Sequence, residues 1–304
     1  MIRRGVEISG SGRHLHKYRG FLIVSENGGE VGRLPLEDLE VVLVSGHGIT
    51  CTAELLHALA AQCAPLILCD HRFLPASILL PVESHEYQSG RIRAQAALGE
   101  TTSKRMWQQI VAAKIRGQAE VLAICTGKES ERLNTLWRRV RSGDAGNAEG
   151  EAARIYFPLL FGPGFRRDRD LGGENALLNY GYTVLRSAVV RAIMLAGLHP
   201  AFGIHHCNAR DTMPLADDLM EPFRPLVDMI VYSHARAVEG IPTVDSNAKQ
   251  RLIGVTGLDL IFEGVSSPVT ECLLRLTRSL ADVCEGRKRK LVLPDGLRIS
   301  IADD

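Results

Sequence analysis

The hydrophobic pattern changes character near Pro81, and that change limits what the chain can fold into. Before it, short apolar runs alternate with turn residues. Phe21–Val24 runs into Glu-Asn-Gly-Gly, Val41–Val44 is a β-branched run ending at Ser45-Gly46, and Leu66–Cys69 follows Pro65. Runs of that length between glycine and proline favour strands. Ala53–Gln62 is the exception, with Leu55, Leu56, Leu59 and Ala60 on one side of a helix. Beyond Pro81, helical spacing governs Ile92–Leu98, Met106–Cys125, Arg132–Arg141, a segment starting near Glu149, Leu177–Ala196, Asp218–Ala237 and Pro268–Val283. Gly197 and His199-Pro200 supply a helix stop, and Leu291–Leu293 is briefly strand-like. The expected class is α+β: a small N-terminal β-rich domain over residues 1–82, a linker at 83–90, and a larger all-α domain over 91–304.

A chain of 304 residues with 45% hydrophobic content can bury a substantial core, and 23% charged residues exclude wholesale disorder. The formal charge of +1 hides an uneven distribution: +4 over residues 1–20, −7 over 21–90, +6 over 91–170 and −2 over 171–304. A polyanion would meet basic surface at the start and along 91–170. Candidates for phosphate contacts there are Arg138, Arg139, Arg141, Arg166, Arg167 and Arg169, with Arg287-Lys-Arg-Lys290 as a further basic run. Each reads equally well as a solvated surface charge. Seven cysteines form no C-x-x-C and no zinc spacing, which predicts reduced thiols, mostly packed as small hydrophobes. The N-terminus has no apolar signal region, and Val184–Leu198 is short and interrupted by Arg186 and Arg191. A cytoplasmic protein with no membrane partner is expected.

No P-loop, dinucleotide fingerprint, G-x-S-x-G elbow or H-E-x-x-H is present. The informative region is Leu198–Asp228. His205 and His206 stand side by side in a short segment between helices, followed by Asp218, Glu221 and Asp228. If 218–228 is helical, the three carboxylates share one face with Leu219, Phe223 and Leu226 close by. Buried acids need a cationic partner, which a metal ion or an arginine would supply. A plainer reading starts the helix near Glu221, where Pro222 and Pro225 suit a first turn and an acid suits its positive end. A second acidic element, Asn147-Ala-Glu149-Gly-Glu151-Ala-Ala-Arg154, offers two candidates, Glu149 and Glu151. Histidine with carboxylates is the mixed N/O set that divalent metals accept.

Four motifs in order carry a family resemblance: Glu149-Gly-Glu-Ala-Ala-Arg154, Asn175-Ala-Leu-Leu-Asn179-Tyr-Gly-Tyr, Gly197-Leu-His-Pro-Ala-Phe-Gly203-Ile-His-His206 and Asp218-Leu-Met-Glu221-Pro-Phe-Arg-Pro. With Leu34–Val44 and Leu79–Pro81, they resemble the CRISPR-associated Cas1 integrases, most of all the form found in type II systems. The resemblance implies an N-terminal β domain for dimerisation and partner contacts, a helical catalytic domain, a homodimer, and dimers bridged by Cas2. It implies a metal site at Glu149, His206 and Glu221, since Glu149 directly precedes the motif glycine and His206 stands third after Gly203. His205 is the alternative histidine, and Asp218 is a secondary acid of the same motif.

The function implied is metal-dependent endonuclease and integrase chemistry on double-stranded and branched DNA. A spacer 3′-OH attacks a repeat phosphate, with Mg²⁺ or Mn²⁺ lowering the cost of charge on both oxygens. The DNA supplies nucleophile and leaving group, so no cysteine need be catalytic. The alternative is a DNA-binding scaffold of the same fold that has lost its chemistry.

Overall fold

The structure, a computed structural model, describes residues 4–69, 75–208 and 211–297. The chain divides into two units, Met1–Glu86 and Tyr87–Asp304. In the first, the described elements are β1 (Arg4–Ile8), β2 (His14–Tyr18), β3 (Phe21–Glu26), β4 (Gly29–Pro35), β5 (Leu39–Val44), β6 (Thr50–Cys51), α1 (Ala53–Ala61), β7 (Leu66–Cys69) and β8 (Pro75–Leu79). Two tight turns set the register of β2, β3 and β4. Arg19-Gly20 and Asn27-Gly28 all have positive φ, the geometry that two-residue hairpin loops require.

The strands form sheets ordered β4-β3-β2-β6 and β1-β5-β7-β8. The Val41–Val44 part of β5 reads as a continuous apolar run because the strand is buried throughout, paired in parallel with β1 (Val42 opposite Val6) and β7 (Val42 opposite Leu66). α1 starts at Thr52, whose hydroxyl accepts from the Leu55 N–H, and buries Leu55 and Leu59. Leu15, Leu22 and Val24 from one sheet and Ile8, Val44 and Leu66 from the other complete a single core with them.

The second unit holds α2 (Gln88–Ala96), α3 (Glu100–Thr126), α4 (Glu131–Leu136), α5 (Ala148–Phe161), α6 (Glu174–Leu195), α7 (Pro214–Met220), α8 (Arg224–Ala237), α9 (Ser246–Ile253), β9 (Asp259–Phe262), β10 (Val265–Pro268) and α10 (Val269–Cys284). α6 runs through its core, burying Leu177, Leu178, Val184, Leu185, Val189 and Ile193. At Gly181 a Cβ would lie 2.5 Å from Val227 and 2.9 Å from Leu252, so this glycine allows α6 to approach α8 and α9 closely.

Three expectations needed correction here. Asp218–Ala237 is not one helix but α7, a 3₁₀ turn over Glu221–Phe223, and α8. A proline ring crowds the carbonyl four residues back and offers no N–H, so two prolines three residues apart, Pro222 and Pro225, favour a break here, whereas α5 carries the single Pro158 within it. The antiparallel hairpin β9–β10 stands inside the region read as all-helical, turning on Glu263-Gly264, both at positive φ. Leu291–Leu293 forms no strand. Leu291 is buried and its N–H donates to Gln109 of α3 at 3.2 Å. No described helix is long and apolar enough to cross a membrane.

Candidate functional site

α5 begins with a double cap. The Asp144 carboxylate accepts from the N–H groups of Ala148 and Glu149 at 2.8 and 3.1 Å, and the Asn147 side chain accepts from Gly150. A Cβ at residue 150 would meet the Asn147 amide at 2.6 Å, which explains the glycine beside Glu149. Ala152 and Tyr156 continue the inner face and are fully buried. Glu151 turns outward to within 3.6 Å of Arg132. Glu149 is thus the acid of this motif that faces inward.

The segment between α6 and α7 wraps around Asp218. This carboxylate, with no exposed side-chain surface, accepts from the N–H groups of Ile204, His205 and His206 at 2.5, 2.9 and 3.2 Å. It also lies 2.5 Å from His206 Nδ1. An added Cβ at Gly203 would collide with the His206 carbonyl oxygen, so the wrap requires glycine there. His206 hydrogen-bonded through Nδ1 keeps Nε2 available as a lone-pair donor. The bond to Asp218 raises the His206 pKa; burial opposes it, and the charges of Asp218, Glu221 and Glu149 add to the rise. His205 instead stacks on the buried indole of Trp107, centroids 4.3 Å apart and ring planes nearly parallel. From outside, the Gln95 carboxamide donates to the carbonyls of His199 and Phe202 and accepts from the His199 N–H, bracing the same segment. A cavity of about 460 Å³ opens beside His206, lined in part by Leu98, Phe202, Ile204 and Leu280.

The tight turn between α7 and α8 presents Glu221 to two cations. Its Oε1 lies 3.1 Å from Arg224 Nε and its Oε2 lies 2.5 Å from Lys114 Nζ. Lys114 also donates to Glu149 Oε1 at 2.6 Å, so one ammonium joins the two glutamates. Burial alone would raise the Glu221 pKa, but Arg224 and Lys114 outweigh it and hold the carboxyl ionised. Conversely, burial works against the Lys114 charge, and Glu221 and Glu149 overcome it. Side-chain exposure climbs from 4% at Glu221 through 28% at Glu149 to 42% at His206, so the site opens on the side of the last two.

The three acids of 218–228 therefore serve three different partners rather than one face. Asp228, buried, accepts from the Tyr182 hydroxyl, and burial pushes its carboxyl up to about 6. Arg224 stacks 4.7 Å above the Tyr182 ring, linking this pair to Glu221. Asn175 and Asn179 of α6 hold Arg167 at 3.0 and 2.6 Å and bond the backbone at Arg166 and Arg169. Arg167 is thus internally engaged, whereas Arg138, Arg139, Arg141, Arg166 and Arg169 keep side-chain surface open to solvent.

Sequence reasoning missed Lys114, although a signal existed. It interrupts the buried stripe of Ile110, Val111, Ile115 and Gln118 on α3, where a lysine needs a partner. Among the described residues no three histidine, cysteine or acidic side chains stand ready-assembled around a metal position. Lys114 pairs with both glutamates instead. The donor set of two carboxylates and one imidazole nitrogen is nevertheless one that a hard or borderline divalent ion accepts. The cation held between the two acids is the charge type such an ion would replace.

Residues 6–239 match the family model for CRISPR associated protein Cas1. A CRISPR-associated endonuclease Cas1 of Neisseria meningitidis serogroup C is 37% identical over 302 residues, covering 97% of both chains. Among solved structures, a casposase bound to integration product superposes with a TM-score of 0.77 at 20% identity, over 95% of this chain and 92% of that one. A chain of a Cas6-RT-Cas1–Cas2 complex gives 0.74 at 21% identity, over 97% of this chain and 37% of that one. The capped Glu149, the wrapped His206 and the turn at Glu221 thus occur in a chain that belongs to the Cas1 family.

Proposed function

We propose that the protein is a divalent-metal-dependent DNA integrase of CRISPR adaptation with endonuclease activity, joining spacer 3′-OH ends to the repeat array by transesterification. The observation that carries this reading is the meeting of Glu149 and Glu221, from separate elements, on one cation. Mg²⁺ or Mn²⁺ held there would stabilise charge on the attacking and departing oxygens. Glu149 and Glu221 would contribute carboxylate oxygens, and His206 would contribute Nε2. Asp218 fixes the tautomer and direction of that imidazole from behind. Arg224 keeps Glu221 ionised and in place.

Double-stranded and branched DNA is the substrate class, since DNA supplies both nucleophile and leaving group. Its phosphates would be met by Arg138, Arg139, Arg141, Arg166 and Arg169, while Arg167 shapes the loop that carries its neighbours. The cavity beside His206 has room for a nucleotide end. The N-terminal unit would serve a homodimer and a Cas2 contact; a chain of a Cas6-RT-Cas1–Cas2 complex shares this fold, which supports Cas2 as a partner. A type II-like system, as the bacterial relative's similarity suggests, and a cytoplasmic site of action fit this role.

The test is strand transfer into a supercoiled target carrying a repeat, with Mg²⁺ or Mn²⁺. Glu149→Ala, His206→Ala and Glu221→Ala should each abolish it while circular dichroism and DNA binding persist. Normal integration by all three variants overturns the site. Wild-type protein that binds branched DNA but never cleaves or joins it identifies a scaffold instead.

A further inference from the structure

Lys114 is an expensive residue to keep where it stands. It lies on a helix face otherwise built from Ile110, Val111 and Ile115, its side chain is 10% exposed, and a lone ammonium there would lose most of its hydration. Two contacts offset the cost: Glu149 Oε1 at 2.6 Å and Glu221 Oε2 at 2.5 Å. Both distances are measured from one nitrogen, so the two carboxylates converge on a single cationic centre. Without it they would be like charges brought together with Arg224 on one side only.

We propose that Lys114 is the resident counter-ion of this site: its ammonium and a divalent cation compete for the same two carboxylate oxygens, and metal enters by displacing it. The inference rests on the metal-dependent reading above. Lysine suits the role because its charge is compact and its stem flexible, so it can withdraw. Arg224 does not suit it, since its guanidinium is fixed on Glu221 and over the Tyr182 ring. Two consequences follow. The two carboxylates stay together in metal-free protein, bridged by one ammonium, and metal affinity is held below what the donor set alone would give.

The experiment is Mn²⁺ titration of the full-length protein without DNA, read by electron paramagnetic resonance of free Mn²⁺, alongside thermal melts with and without the metal. Wild type should bind Mn²⁺ at a site that Glu149→Gln removes. Lys114→Met should bind at least about tenfold more tightly, a gain of about 1.4 kcal/mol. Its metal-free form should melt lower than wild type and gain more from Mn²⁺. Lys114→Arg keeps the charge and should stay close to wild-type affinity. A purely structural lysine predicts the opposite, with affinity unchanged or weakened in a natively folded Lys114→Met. That result overturns the inference and leaves the metal site standing. If Glu149→Gln costs wild type no Mn²⁺ binding, the metal reading falls and this inference with it. Should Lys114→Met not fold, Lys114→Gln is also neutral and is judged by the same criteria.

Discussion

His206 is held by Asp218 at both its ring and its backbone, through Nδ1 at 2.5 Å and the peptide N–H at 3.2 Å. One buried carboxylate therefore sets where the imidazole stands, which nitrogen is free, and how tightly it holds a proton.

Asp218→Asn keeps the shape and removes the charge. The bond from Asp218 raises the His206 pKa, so the substitution should lower it. A neutral Nε2 is needed to ligate, so wild-type strand transfer should rise with pH through a midpoint above that of an ordinary histidine. In the variant that limb moves to lower pH and the plateau drops roughly 10–100-fold, the usual cost of losing such a partner. Histidine NMR titration and a pH–rate profile check both shifts. A limb that stays put refutes the assignment.

Gly203→Ala should separate activity from stability. The added methyl meets the His206 carbonyl oxygen, so the backbone must move at the residue that matters most. Strand transfer is expected to fall at least about tenfold, while overpacking costs about 1–3 kcal/mol in urea unfolding. Full activity in this variant would show that the wrap tolerates a Cβ.

Asp228 gives a stability signature. Its carboxyl sits at about 6 rather than near the ordinary aspartate value of about 4, so between those limits the native state binds the proton more tightly than the unfolded chain. By linkage, its contribution is complete below about 4 and is lost as pH rises through 6, amounting to about 3 kcal/mol. Asp228→Asn should flatten that part of the curve, gaining on wild type as pH rises. Urea unfolding of both proteins from pH 4 to 8 measures the difference.

Arginine substitutions should fall into two kinds. Replacing Arg139, Arg141 or Arg166 with alanine should reduce the slope of log affinity against log salt by roughly one for each phosphate left without its cation. Arg167→Ala should instead destabilise by about 1–3 kcal/mol, because Asn175 and Asn179 lose their shared partner. A salt slope unchanged in every variant would place the DNA elsewhere.

Much of the N-terminal architecture is legible because its signals are local. Asn27-Gly28 dictates a hairpin, and Val41–Val44 of β5 and the whole of β7 are apolar runs with clear stops. The hairpin at Glu263-Gly264 escaped notice because its first turn residue is a glutamate, not the asparagine or aspartate that announces such a turn. Around the site, the motif glycines could be located, but their reasons could not. Gly150 answers to Asn147, which is local, whereas Gly181 answers to Val227 and Leu252, which only tertiary packing brings near. The prolines at 222 and 225 were readable as helix breakers, yet the apolar periodicity around them suggested continuity. Lys114 was overlooked because a single polar residue on an amphipathic helix looks like an edge until its partners are seen.

The brace that Gln95 applies to the carbonyls on either side of Pro200 reaches beyond α2 itself. A glutamine outside the proposed ligand set braces the segment that leads to His206, so on the reading proposed above a defect at residue 95 would masquerade as the loss of a ligand in a gene that still encodes all three.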